Sequence, residues 1–145
     1  MSPEKLKSFE KPQLSIARTL FDAKCVLLNF EKPFTFSSGI QSPIKIDCEK
    51  LTKFPFYFQS VVAGFASIIH QNYLDFDYFC GVIKGGVPFA NSLGRKFSKP
   101  VVARLGRKQD EERRKLFSGE ISPNSQVLLI EDVITSVESV AIVGE

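Results

Sequence analysis

The 145-residue chain has no tryptophan, one methionine, one histidine and three cysteines. Each scarcity narrows the function. Cys25, Cys48 and Cys80 are odd in number and far apart, so they offer neither a disulfide framework nor a ligand pair for structural zinc, and they read as reduced, structural thiols. The lone histidine, His70, follows Ile68-Ile69 at the end of a helical pattern, where a cation suits the local dipole better than a catalytic base would. Neither sign of charge dominates: 19 Lys and Arg against 16 Asp and Glu leave +3, too little to indicate nucleic-acid binding. No apolar run has the length of a membrane span, and the polar start Met1-Ser2-Pro3-Glu4-Lys5-Leu6-Lys7 lacks the apolar core of a secretory signal. A soluble, cytoplasmic protein with no nucleic-acid or membrane partner is expected.

What is present suffices for a single domain over residues 1–145, since a chain of this size buries roughly two thirds of the surface it exposes when unfolded. Phenylalanine is abundant at 14 residues, and most of it is expected in the core. The spacing predicts a helix over Leu14 to Leu28, with Ser15, Arg18 and Asp22 on its polar side and Ile16, Leu20 and Val26 on its apolar side. Phe34 to Phe36 and Ile44 to Asp47 read as a hairpin. Thr52 is the expected cap of a second helix, with Pro55 in its first turn and Phe58, Val61, Val62, Phe65, Ile68 and Ile69 as one buried stripe. Phe79 to Ile83 then reads as a core strand, Val87 to Phe97 as a helix and Pro100 to Arg104 as a strand. This alternation of strand and helix indicates an α/β fold with a Rossmann-like parallel sheet.

The most informative run is Val127-Leu128-Leu129-Ile130-Glu131-Asp132-Val133-Ile134-Thr135-Ser136. Four aliphatic residues fit a buried parallel strand, and ligands of open α/β folds bind beyond the carboxyl ends of such strands. Glu131 and Asp132 stand at that end, where carboxylates accept hydrogen bonds from ribose hydroxyls. Thr135, Ser136 and the turn amides after them are placed to hold a 5′-phosphate at a helix start. Taken alone, the same pattern also describes solvated acids or the N-cap of a following helix.

Two further segments resolve this choice by resemblance. The strand, the two acids and the Thr-Ser pair are similar to the phosphoribosyl pyrophosphate (PRPP) loop of type I phosphoribosyltransferases. Phe34-Thr35-Phe36-Ser37-Ser38-Gly39-Ile40-Gln41-Ser42-Pro43-Ile44, with Asp47 beyond it, resembles the N-terminal signature of the orotate phosphoribosyltransferase family. Gly81-Val82-Ile83-Lys84-Gly85-Gly86-Val87-Pro88-Phe89-Ala90 is similar to that family's Gly-x-x-x-x-Gly-x-Pro-x-Ala loop. The resemblance runs from about Leu20 to Ser139. It implies the type I phosphoribosyltransferase fold with a small N-terminal hairpin and helix subdomain. Family members extend well past this point, so a C-terminal part of the sheet is expected to be missing.

The implied chemistry is transfer of ribose 5-phosphate from PRPP to orotate, giving orotidine 5′-monophosphate and pyrophosphate in de novo pyrimidine synthesis, with Mg²⁺ as cofactor and a homodimer as the working form. By resemblance, Glu131 and Asp132 hold the ribose, Thr135, Ser136 and Ser139 the phosphate, and Lys84 and Arg104 the pyrophosphate. Ser38 and Lys45 lie in the orotate region. Asp132, Arg107 and Lys108 carry the catalytic roles, the last two from a basic loop; Arg95 to Lys115 holds nine cations against three acids. The metal has no direct protein ligand and arrives with PRPP. Three differences from the family pattern stand out: Val137-Glu138 replaces a glycine and a small residue, Lys45 replaces an aromatic, and Arg104-Leu105-Gly106-Arg107-Lys108 departs from the usual basic spacing. The first predicts weakened phosphate binding, since valine resists positive φ and glutamate repels phosphate. A non-catalytic PRPP- or nucleotide-binding module, or an enzyme for another base, therefore remains an alternative reading.

Overall fold

The structure is a computed structural model that describes residues 11–36, 38–105 and 117–134, with no side-chain description for 11–14. These residues fall into two compact units, divided after Gly64.

The N-terminal unit opens with helix α1, Lys11–Asp22. Its exposed Ser15, Arg18 and Asp22 and half-buried Ile16 and Leu20 agree with the expected sides of the helix. The expected extension to Leu28 is overturned. Lys24 adopts the left-handed conformation at φ 56°, and the Cys25 and Lys24 amides bond back to the carbonyls of Leu20 and Phe21. This is a Schellman closure, normally made by glycine. Val26–Leu28 is strand β1 instead.

Strand β2, Phe34–Thr35, pairs antiparallel with β3, Gln41–Ser42, around the turn at Gly39, whose φ is +83°. The expected hairpin partner, Ile44–Ile46, is a separate strand, β4, paired with β1 in the register Val26↔Ile46 and Leu28↔Ile44. A 3₁₀ segment, Cys48–Lys53, follows. Thr52 sits inside it and donates its hydroxyl to the Glu49 carbonyl, so it does not cap the next helix. Phe54 does that with its carbonyl, accepting from Phe58. Helix α2 is Pro55–Gln71, with Pro55 in the first position, where a missing N–H costs nothing. Along the expected stripe Val62 and Ile69 are buried, but Ile68 is 55% exposed and Ala66 takes the buried place.

In the C-terminal unit, β5 (Tyr78–Val82), helix α3 (Gly86–Phe97), β6 (Val101–Arg104) and β7 (Val127–Ile130) follow the expected alternation. Three strands form one parallel sheet in the order β6-β5-β7. β5 is central and has its three middle residues, Phe79, Cys80 and Gly81, buried. The core is aromatic: the Phe76 and Phe79 rings meet edge to face at 4.7 Å, Phe65 and Phe89 at 5.6 Å, and His70 stacks on Phe97 at 4.9 Å. Each fully buried Phe contributes about 1.5–3 kcal/mol through water exclusion. Most phenylalanines, however, are not buried. Phe21, Phe30, Phe54 and Phe56 are exposed, Phe56 by 80%, so the expectation of a mostly buried set is overturned. Cys25, Cys48 and Cys80 are all buried thiols. Burial raises the pKa of the Cys25 and Cys80 thiols and keeps them protonated.

Candidate active site

Three parallel strands end together at one edge of the sheet. The register sets Gly81 opposite Ile130 and Val82 opposite Arg104, so the residues after each strand share a neighbourhood. That edge receives the Lys84 turn from β5, Arg104 from β6 and the Glu131-Asp132 pair from β7. It is the crevice position where open α/β sheets bind ligands.

Glycines make this convergence possible. A Cβ on Gly81 would lie 2.6 Å from the Val87 Cα and 3.1 Å from the Ala90 Cβ, so its absence lets α3 lie directly on β5. The intervening turn carries a cis Ile83–Lys84 peptide and leaves Lys84 exposed. Two exchanges hold β7 beside β5 at the opposite end: the Asp77 amide donates to the Gln126 carbonyl, and the Gln126 amide donates to the Asp77 carboxylate, each at 2.8 Å. The turn before β7 is formed by Pro123 and Asn124, the latter at φ 62°.

Glu131 and Asp132 are half-buried. The Asp132 amide donates to Glu131 Oε1 at 3.1 Å, so the first carboxylate folds back over the start of the loop. Desolvation, above all, pushes the Glu131 carboxyl up to about 7; a hydrogen bond to the Asp132 side chain and its negative charge add to this, while the Asp132 amide and the Arg104 charge oppose it. An acid held near neutrality at a strand end marks a candidate site.

The structure therefore brings Lys84, Arg104, Glu131 and Asp132 into one neighbourhood, as the sequence implied. Ser38 and Lys45 are exposed residues of the N-terminal unit. Thr135, Ser136, Ser139, Arg107 and Lys108 lie outside the described residues, as do Val137 and Glu138. Sequence reasoning missed the closeness of Asp132 to Gly85; the doubled glycine at 85–86 was the available signal.

Curated proteins resemble the chain in overall sequence. An orotate phosphoribosyltransferase from Rhizobium johnstonii is 33% identical over 124 residues, 83% of this chain and 54% of the relative. One from Coxiella burnetii is 27% identical over 129 residues, 89% of this chain and 62% of the relative. The chain thus spans little more than half the length of these curated relatives. Among solved structures, the UMP synthase of Leishmania donovani superposes with a TM-score of 0.75 at 22% identity, covering 94% of this chain and 29% of that one. No protein-family model matches the chain. Over more than four fifths of its length this chain is thus similar in sequence to orotate phosphoribosyltransferases, and the likeness to the solved structure gives it the type I phosphoribosyltransferase fold.

Proposed function

We propose that this chain transfers ribose 5-phosphate from PRPP to orotate, giving orotidine 5′-monophosphate and pyrophosphate in pyrimidine biosynthesis. The observation that carries this reading is the Glu131-Asp132 pair at the end of β7, at the same end of the sheet as Lys84 after β5 and Arg104 at the end of β6. The carboxylates accept hydrogen bonds from the two ribose hydroxyls and fix the sugar. Lys84 and Arg104 supply positive charge for the leaving pyrophosphate. Such preorganised charge is the main catalytic resource when a highly charged group departs. No protein nucleophile is needed.

Among the described residues no group of three or more His, Cys, Asp or Glu converges as a metal cage. The hard oxygens of this edge fit a magnesium ion that arrives on the substrate's own diphosphate and hydroxyls, since magnesium keeps few protein ligands. When bound, the ion supplies charge neutralisation at the diphosphate. We extend the proposal to Arg107 and Lys108 as loop cations, to Thr135, Ser136 and Ser139 as phosphate ligands, to Ser38 and Lys45 near orotate, and to a cytoplasmic homodimer as the working form. Among the described residues no helix is long and apolar enough to cross a membrane.

The test is loss of orotate absorbance with PRPP and Mg²⁺. Turnover is expected, with Asp132→Asn and Lys84→Ala each reducing kcat/KM on the order of a hundredfold. PRPP binding without turnover of orotate, uracil or any purine base would make the chain a non-catalytic PRPP-binding module. Absence of PRPP binding at millimolar ligand would sink the phosphoribosyl reading altogether.

A further inference from the structure

The two glycines that open α3 are not equivalent. A Cβ on Gly86 would run into the backbone carbonyl oxygen of Ile130, which no side-chain rotation can move. Its role is to let the helix approach β7. Gly85 is different. Its backbone lies at φ −72°, ψ −34°, a right-handed conformation that any L-residue adopts, so nothing in the main chain calls for glycine. The three atoms nearest to a Cβ there are the carbon and both oxygens of the Asp132 carboxyl group. The space that a side chain would fill is filled by that carboxylate.

We propose that Gly85 is a positioning residue of the ribose site: its missing side chain forms a socket that seats the Asp132 carboxylate against the start of α3 and beside Glu131. The Asp132 main chain is tied to Glu131 through its amide, so an intruding methyl group displaces the carboxylate rather than the strand. A helix N-terminus also favours negative charge at that place. The functional half of this inference rests on the phosphoribosyl reading above; the socket does not.

The experiment compares wild type, Gly85→Ala, Asp132→Gly and the double variant by two measurements. The first is the titration of the Glu131 carboxyl by ¹³C NMR without ligand. The second is calorimetric binding of PRPP with Mg²⁺. Gly85→Ala is expected to unfold as cooperatively as wild type and to lower the Glu131 midpoint, because the Asp132 side chain helps to hold it up. It is also expected to weaken PRPP on the order of tenfold to a hundredfold. In the Asp132→Gly background, Gly85→Ala should change neither quantity. A Glu131 midpoint unmoved by Gly85→Ala overturns the socket, whatever PRPP does. A moved midpoint with unchanged PRPP affinity overturns its role in ribose binding, and a wild type that binds no PRPP overturns the phosphoribosyl reading and that role with it, while the titration still decides the socket. Should Gly85→Ala fail to fold, the double variant must restore folding; if it stays unfolded, the methyl group clashes elsewhere and the proposal falls.

Discussion

Burial and the neighbouring Asp132 move the Glu131 carboxyl from an ordinary 4.5 to about 7. The folded chain therefore binds more protons than the unfolded chain between those values, and stability falls as pH rises through that window. Melting temperature is expected to decline from about pH 5 to about pH 7.5, and Glu131→Gln should flatten the decline; an equal slope in the variant would locate the proton elsewhere. Ligand binding has the opposite sign. A ribose hydroxyl donates to an ionised carboxylate, so PRPP affinity should rise with pH over the range near 7, with buffers chosen to separate the ligand's own titration. The phenylalanines give a second contrast at this scale. Phe79, fully buried between Phe76 and Phe97, should cost about 3–5 kcal/mol when cut to Ala. Phe56, 80% exposed, should fall within about 0.5 kcal/mol of wild type by the same denaturant titration.

The three α-helices among the described residues close in the same way without the usual residue. Lys24, Tyr73 and Ser98 take the left-handed conformation. The amides that follow them, on Cys25, Leu74 and Lys99, reach back to Leu20, Ile69 and Gly94. Ser98→Gly should therefore stabilise the chain by about 0.5–1 kcal/mol, since glycine meets no Cβ penalty there; an unchanged or lower denaturant midpoint would show that the Ser98 side chain repays its strain. This explains which elements the sequence reveals. Helix α3 and strands β5, β6 and β7 were legible because their apolar periods are clean and Gly, Pro and Lys punctuate them. The end of α1 was not. Lys24 carries no stop signal, so the apolar Val26-Leu28 run continued the helical pattern into what is a strand. The β1–β4 pairing was hidden for a related reason: adjacent β runs suggest a hairpin, whereas the partner of Ile44–Ile46 lies earlier in the chain. At the site, acids and cations announce themselves by type, but a socket made by an absent side chain leaves only a second glycine as a trace.

At the scale of the whole molecule, the carboxylates of the site are delivered by β7, the last of the described strands. β5, α3 and β6 follow one another closely, whereas β7 joins β5 through residues such as Asp77 and Gln126 that are 49 positions apart. Closing so long a loop costs entropy that only the completed pairing returns. In refolding followed by pulsed hydrogen exchange, the amides of β5 and α3 should be protected before that of Gln126; simultaneous protection would mean that the sheet condenses in one step. The order matters for a nascent or damaged chain. A molecule that has buried its aromatic core but not yet captured β7 possesses the lysine turn and the arginine, yet has no acids to grip a sugar. Such a chain would count as folded by most spectroscopic measures while being inert, and the first signal lost on mild destabilisation would be ligand recognition rather than secondary structure.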